Sequence, residues 1–486
     1  MKGKNIVVIM TDQLRKDSLG CYGNAVVNTP HIDRLANQGV QFDRCYVANP
    51  ICMPNRLSIF TGMYPRNHGL WTNGLLLEHE RRTLPMELLE RGYQTASFGK
   101  IHFEPTACPV DCGSRESREY WESKGGCIED FGPYWGFDHV ELTIGHSTRA
   151  AGHYGKWFRE KGGTADMLEP DKNGCTSVPA ELHDSSFIGE RVSTFICEER
   201  EKDRPFFVVA SFPDPHHPFN PPKAYAERYG LEDALAPTGG PEDLETRPEH
   251  YRQHFKGAWH RKGVGPEKHP LGVAKDEESR RIIHTYAMVD LIDYNVGRIL
   301  DALEQQGLME DTIIVFTSDH GELLGDHGLW TKGPFFYEGL INVPLIIYDK
   351  DRINPFVSEE LVSSIDIVPT LCDLNQMPVP LYVNGVSQMA HLEDPAHSVR
   401  NCCMTEYRNG YGEKDCAARV LVTKDMKYVR YQTGECELTD LQNDPQERTN
   451  VAHDEEYGNR AKEMTAQLLD EMLSTEAKDP IQIAHA

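Results

Sequence analysis

No stretch of the 486-residue sequence approaches the roughly 20 consecutive apolar residues that a helix needs to cross a bilayer, so no membrane partner is expected. Export signals are also scarce. The N-terminus reads Met1-Lys2-Gly3-Lys4-Asn5 before the short apolar run Ile6–Met10, with no small-residue cleavage site. That run reads as a first strand, and a cytoplasmic location is expected. Positive charge is in short supply: 50 Lys and Arg against 75 Asp and Glu leave a net charge of −25. Such a chain binds nucleic acid or anionic membrane poorly, and an anionic substrate would have to be met by basic residues gathered locally. None of the 13 cysteines forms a C-x-x-C pair. A structural zinc site among Cys108, Cys112, Cys127 and Cys175 therefore lacks its usual spacing. The odd count in a chain without an export signal predicts free thiols rather than a disulfide framework.

No internal repeat or low-complexity tract occurs either. What is present is apolar mass, 39% hydrophobic residues with 18 Phe, 20 Tyr and 6 Trp, enough for a packed core. The length exceeds one ordinary core, at about 150 residues per domain. Short β-branched runs alternate with helical stretches, which predicts a parallel sheet covered by helices. Ile6–Met10, Thr95–Phe98, Phe206–Phe212, Thr312–Thr317 and Val343–Tyr348 read as strands, several of them apolar throughout, as strands buried on both faces are. Thr29 and Pro30 open a helix that Gly39 closes, Thr83 and Pro85 open another that ends at Gly92, and a long helix is expected from about Asp276 to Gln306. Residues 103–185 and 213–275 break this rhythm and read as long loops or insertions. From about Asn401, Ala418–Val422, Lys427–Tyr431 and Glu435–Leu438 read as antiparallel strands, followed by a helix through Met464–Met472. The expected architecture is an α/β unit over 1–378, with a large, mostly parallel sheet between helices, and a smaller α+β unit over 379–486.

Chemically able residues follow the strands at their C-terminal ends. Asp12-Gln13 follows the first, Lys100 and His102 the second, His216-His217 the third and Asp319-His320 the fourth. In an open parallel sheet ligands bind at that edge. Each pair alone could be a surface turn; four together point to one site. The strongest local motif is Cys52-Met53-Pro54-Asn55-Arg56, continuing Leu57-Ser58-Ile59-Phe60-Thr61-Gly62. Pro54 starts a helix, which puts Cys52 at an N-terminus where backbone N–H groups favour an anion and a low thiol pKa.

C-x-P-x-R running on to T-G resembles the signature of the sulfatase family, in which this Cys is oxidised to formylglycine. The resemblance extends along the chain. It includes Asn5–Gln13, Thr29–Ala36, Gly99-Lys100-Ile101-His102, Pro215-His216-His217-Pro218 and Thr317-Ser318-Asp319-His320-Gly321. Further on it takes in Lys332 before Tyr337–Pro344, and Glu437–Leu441 with Asp444-Pro445-Gln446-Glu447 and Asn450.

The resemblance implies the following roles. Asp12, Gln13, Asp319 and His320 hold a divalent cation together with the modified Cys52. Oxygen ligands suit Ca²⁺, and one imidazole also admits Mn²⁺. One hydroxyl of the hydrated aldehyde, stabilised by Arg56, attacks sulfur; the other is deprotonated by His102 as sulfate leaves. Lys100 and Lys332 neutralise the sulfate oxygens, His216 protonates the leaving oxygen, and Asn73 contacts substrate or serves as a turn residue before Gly74. The implied partners are a small-molecule or saccharide sulfate ester and a formylglycine-generating enzyme; homo-oligomerisation is left open. Gln13 and His320 depart from the commonest pattern and bring in a phosphonate monoester or phosphodiester hydrolase as an alternative, against which the Lys100/His102 pair stands. A non-catalytic sulfate-binding homologue would need neither Cys52 nor His216.

Overall fold

The computed structural model describes residues 3–126, 128–129, 131–146, 149–256, 275–411 and 414–477. Eight strands form the main sheet: β1 Asn5–Thr11, β2 Val40–Tyr46, β3 Gln94–Gly99, β4 His139–Ile144, β5 Phe206–Phe212, β6 Thr312–Ser318, β7 Asn342–Tyr348 and β8 Phe356–Ser363. Their order is β4-β3-β5-β1-β6-β7-β2-β8. Only β7 runs antiparallel to its neighbours β6 and β2, so the other seven strands point one way. The C-terminal ends of β1, β2, β3, β5 and β6 therefore share an edge.

The runs that are apolar throughout have a simple cause. Ile6, Val8 and Met10 of β1 enter one hydrophobic core and Val7 and Ile9 the other, because side chains alternate across a strand and both faces are covered. On one face lie the helices Pro30–Gln38, Asp184–Thr194 and Lys275–Gln305. The last is the expected long helix, with Asp276, Glu277 and Glu278 in its first turn. The other face is packed by the helices Cys52–Thr61, Leu84–Glu90 and Ile367–Leu374. Thr83 caps the Leu84–Glu90 helix by accepting from Met86 N–H, and that helix stops at Glu90, two residues before Gly92.

Four strands escaped the sequence reading, Cys403–Tyr411 of the second sheet and three of the main sheet. β2 is interrupted by polar residues and changes register between Phe42 and Cys45, and β8 carries Glu359 and Glu360. β4 lies inside the segment 103–185, which is thus not only loop but supplies the edge of the sheet. In the same segment Cys108 and Cys112 form a disulfide, against the expectation of free thiols throughout. Four residues apart, they are brought together by the short turn Val110–Cys112. Cys127 lies outside the described residues, as does 257–274 of the second long segment.

A second sheet, order β12-β11-β10-β9, is antiparallel: β9 Cys403–Tyr411, β10 Lys414–Val422, β11 Met426–Tyr431 and β12 Cys436–Asp440, followed by the helix Gly458–Ser474. It is seamed to the first. Glu406 N–H donates to the Ala48 carbonyl at 2.8 Å, Arg247 pairs with Glu437 at 2.8 Å and Lys427 with Glu338 at 3.1 Å, and Tyr407, Val420 and Tyr431 belong to the main core. Glu447 accepts from Glu338 N–H at 2.6 Å, so the C-terminal motif clamps the loop that leads into β7.

Candidate active site

Two of the contributing strands, β1 and β3, end in left-handed backbone. After β1 the chain takes Gln13 through φ 68°, and after β3 it takes His102 through φ 60°. Such left-handed backbone costs a non-glycine residue of the order of 1–3 kcal/mol and persists where surrounding structure imposes it. Gly99, at φ 102°, closes β3 where a Cβ would collide with the Ser211 carbonyl. Lys100 N–H then donates to that same carbonyl at 2.9 Å.

β2 leads into the helix Cys52–Thr61, which places Cys52 in its first turn, 1% exposed. Pro54 is third in this helix, where a missing N–H costs no intrahelical bond. Cys52 Sγ lies 3.1 Å from His320 Nε2, 2.9 Å from Lys332 Nζ and 3.6 Å from Asp12 Oδ1. Burial and the Asp12 charge oppose ionisation of the thiol, yet Lys332, Lys100 and His320 together draw its pKa below the ordinary value.

Arg56, one turn along the same helix and fully buried, donates Nε–H to Asp319 Oδ2 at 2.6 Å. Its Nη1 reaches the Lys100 carbonyl at 2.7 Å and Ser211 Oγ at 2.9 Å, and Nη2 stands 3.7 Å from Asp12. Lys100 Nζ donates to Asp12. Burial, the largest single influence, would raise the Asp12 carboxyl, but Lys100, His216, Arg56 and Lys332 together outweigh it and hold Asp12 well below the carboxylate range. Two carboxylates, Asp12 and Asp319, thus face three cations, Arg56, Lys100 and Lys332, in a site screened from water. The local charge is positive inside a strongly acidic protein, as an anionic substrate requires.

The donor set fits a divalent cation. Ligand atoms of Asp12, Cys52, Asp319 and His320 all lie within 4.8 Å of one another, and all four residues are buried. His320 Nδ1 is 2.8 Å from the Gly321 carbonyl, which fixes the proton there and turns the Nε2 lone pair toward Asp12 and Asp319, each 3.7 Å away. The same nitrogen lies 3.1 Å from Lys332 Nζ, so positive charge already faces these carboxylates here. Burial lowers the basicity of His320, but Asp319 and Cys52 raise its pKa overall. Gln13 presents its oxygen inward because Glu322 accepts from its Nε2 and His217 Nδ1 lies 3.0 Å from the same nitrogen; Oε1 then accepts from Lys332 at 3.0 Å.

His216 stacks between His146 and His217 at ring separations of 3.9 and 4.0 Å. Burial and its two imidazole neighbours hold its pKa far below normal. Its Nδ1 faces the His217 carbonyl and its Nε2 lies 3.0 Å from Lys332 Nζ, so it is a neutral ring backed by an ammonium donor. His102 lies beside the cluster rather than in contact with Cys52 among the described hydrogen bonds. Its backbone N–H is held by Glu116 at 2.6 Å, its Nδ1 is buried without a hydrogen-bond partner among the described residues, and burial and Lys100 keep the ring neutral. Asn73 Oδ1 accepts from Met53 N–H at 3.0 Å, capping the Cys52 helix from the following loop. The sequence reading missed Glu322, His146, Ser211 and Glu116. Glu322, two residues past His320, was within reach of the motif, whereas the other three have no local signal.

A buried thiol at a helix N-terminus, between a carboxylate-imidazole cluster, the buried Arg56 and Lys100 and the half-buried Lys332, at the C-terminal edge of an α/β sheet, suits the hydrolysis of anionic esters. The chain belongs to the sulfatase family: the family model "Sulfatase" matches residues 4–377, and that of the N-sulphoglucosamine sulphohydrolase C-terminal region matches 325–474. An arylsulfatase of Clostridium perfringens is 32% identical over 481 residues, covering 94% of this chain and 92% of its own. An N-acetylglucosamine-6-O-sulfatase of Bacteroides thetaiotaomicron is 27% identical, covering 97% and 86%. Among solved structures, the phosphonate monoester hydrolase of Agrobacterium radiobacter superposes with a TM-score of 0.83 at 26% identity, covering 98% of this chain and 97% of its own. The protein is an enzyme, a sulfuric ester hydrolase.

Proposed function

We propose that the protein hydrolyses sulfate monoesters of small alcohols or saccharides through a formylglycine made from Cys52 by a maturation enzyme. The observation that carries this reading is Cys52 itself, at a helix N-terminus within 3.6 Å of Asp12, His320 and Lys332. Asp12, Gln13, Asp319 and His320 would hold a divalent cation, Ca²⁺ or, given the imidazole, Mn²⁺. When bound, the cation supplies Lewis-acid stabilisation of charge on oxygen, and the hydrated aldehyde supplies two hydroxyls, one to attack sulfur and one to release sulfate.

The chain's own residues do the rest. Arg56 fixes Asp319 and balances its charge, while Lys100 and Lys332 bind the non-bridging sulfate oxygens. His216, fed by Lys332, delivers a proton to the leaving oxygen, and His102 accepts one from the second hydroxyl. Asn73 orders the N-terminal turn that carries the nucleophile. A saccharide substrate is in keeping with the resemblance to an N-acetylglucosamine-6-O-sulfatase.

Co-expression with a formylglycine-generating system should yield an aldehyde at position 52, read by peptide mass or hydrazide labelling, and Cys52→Ala should fold without turning over. Full activity of that variant would refute the reading. A second reading, phosphonate monoester hydrolysis, is favoured by Gln13, by His320 and by the likeness to the Agrobacterium enzyme. Comparison of kcat/KM for a sulfate and a phosphonate monoester of the same alcohol separates the two.

A further inference from the structure

Beside the site lies a cavity of about 250 Å³ whose lining includes Lys100, Arg118, Thr143, His146, Arg149 and Pro218. Clefts that enclose drug-sized ligands run to roughly 300–1,000 Å³, so this one suits a single ring. Its position identifies what enters it. Lys100 binds Asp12, and the His146 ring lies 3.9 Å from His216, so the cavity opens where the alcohol part of an ester must lie if His216 protonates the leaving oxygen.

Its charge is the informative feature. In a chain of net charge −25, this wall carries two guanidiniums and an ammonium and no carboxylate. Arg118 is partly neutralised by Glu119 at 3.2 Å and Glu122 at 3.4 Å. Arg149 is exposed and forms no ion pair among the described residues. Neither arginine makes a hydrogen bond or ion pair with Cys52, Asp12, Asp319 or His320 among the described residues, so neither is spent on the reacting sulfate. A further observation is independent of charge: Thr143 Oγ1, on a residue 3% exposed, and His146 Nδ1 are buried in this wall without a hydrogen-bond partner among the described residues. Buried polar atoms of this kind are normally satisfied, and a ligand in the cavity would satisfy them.

We propose that the preferred substrate is an ester whose alcohol carries a second oxyanion, a carboxylate or a second sulfate, held by Arg149 and Arg118. The inference rests on the sulfatase reading and adds the chemistry of the leaving group. Guanidinium forks match both oxyanions, and the uncompensated Arg149 is the principal reader.

The test uses a matched pair, 3-carboxyphenyl sulfate and its methyl ester, which differ in charge at the position under test, with 3-sulfophenyl sulfate as the tetrahedral counterpart. With the matured enzyme, kcat/KM should be about 10–100-fold higher for the charged members, as a charge-assisted hydrogen bond allows. Arg149→Ala should bring that ratio down about tenfold, mainly through KM. Arg149→Lys should retain part of it, and Arg149→Glu should reverse it. Preference for only one charged member would assign the source, carboxylate or sulfate. Equal turnover of charged and neutral esters by the wild type, or a ratio untouched in all three variants, would overturn the proposal and leave the sulfatase reading standing. Turnover of none of the esters by the matured enzyme would refute both.

Discussion

His68 offers a test of how the Cys52 helix is supported. It is fully buried at the end of the turn Pro65–His68. Its Nδ1 accepts from Leu70 N–H at 3.1 Å, so the ring proton sits on Nε2 and points at Ser58 Oγ, 3.0 Å away on the Cys52 helix. A second ring proton would have to go on Nδ1, where the Leu70 N–H already points. Burial, assisted by the charge of Arg81, lowers the pKa to about 3. The unfolded chain takes up this proton near pH 6.5 and the folded chain only near 3, so between those values the unfolded state binds more protons. Stability is therefore complete above pH 6.5 and lost as pH falls toward 3. Evaluated at pH 5 against pH 8, the linkage costs about 2 kcal/mol from this one residue.

The assay is urea unfolding of the wild type and His68→Asn at both pH values. Asn can offer an acceptor to Leu70 but has nothing to protonate. The variant should be less stable at pH 8, and its loss on going to pH 5 should be smaller than that of the wild type by about 2 kcal/mol. Parallel pH profiles would show that His68 is not held neutral and would refute the argument.

Three further outcomes are expected. Prolonged chelation should abolish turnover and lower the melting temperature, because a ligand bound only by the folded state stabilises it, and Ca²⁺ or Mn²⁺ should restore both. Asp319→Ala should neither retain the metal nor recover on add-back, as elemental analysis and turnover would show. His216→Ala should lower kcat/KM by about 10²–10⁴-fold for alkyl or sugar sulfates, whose alcohols leave poorly, and much less for nitrophenyl sulfate. An equal loss across leaving groups would remove His216 from the acid role.

The sequence by itself determined the strand cores and the residues at their ends. Ile6–Met10, Phe206–Phe212 and Thr312–Thr317 are apolar because both faces of a parallel sheet are covered, and the same architecture puts ligands at the C-terminal edge, so the sequence alone places Asp12, Lys100, His216 and Asp319 on one edge. The Cys52–Arg56 motif was legible for the same reason: helix entry and residue spacing are local. Tertiary structure alone decided what depends on distant partners. β2 hides its strand character behind Gln41, Asp43 and Arg44 and pairs with β7 and β8 across some 300 residues. β7 reads like any other buried strand, and only its neighbours make it antiparallel. Which atom Gln13 presents is set by Glu322, more than 300 residues away. His146 arrives from a segment with no periodicity, and Asn73 becomes the cap of the Cys52 helix by the path of the following loop. Periodicity records which face is buried; it does not record against what, and the orientation of every site side chain follows from the second of these.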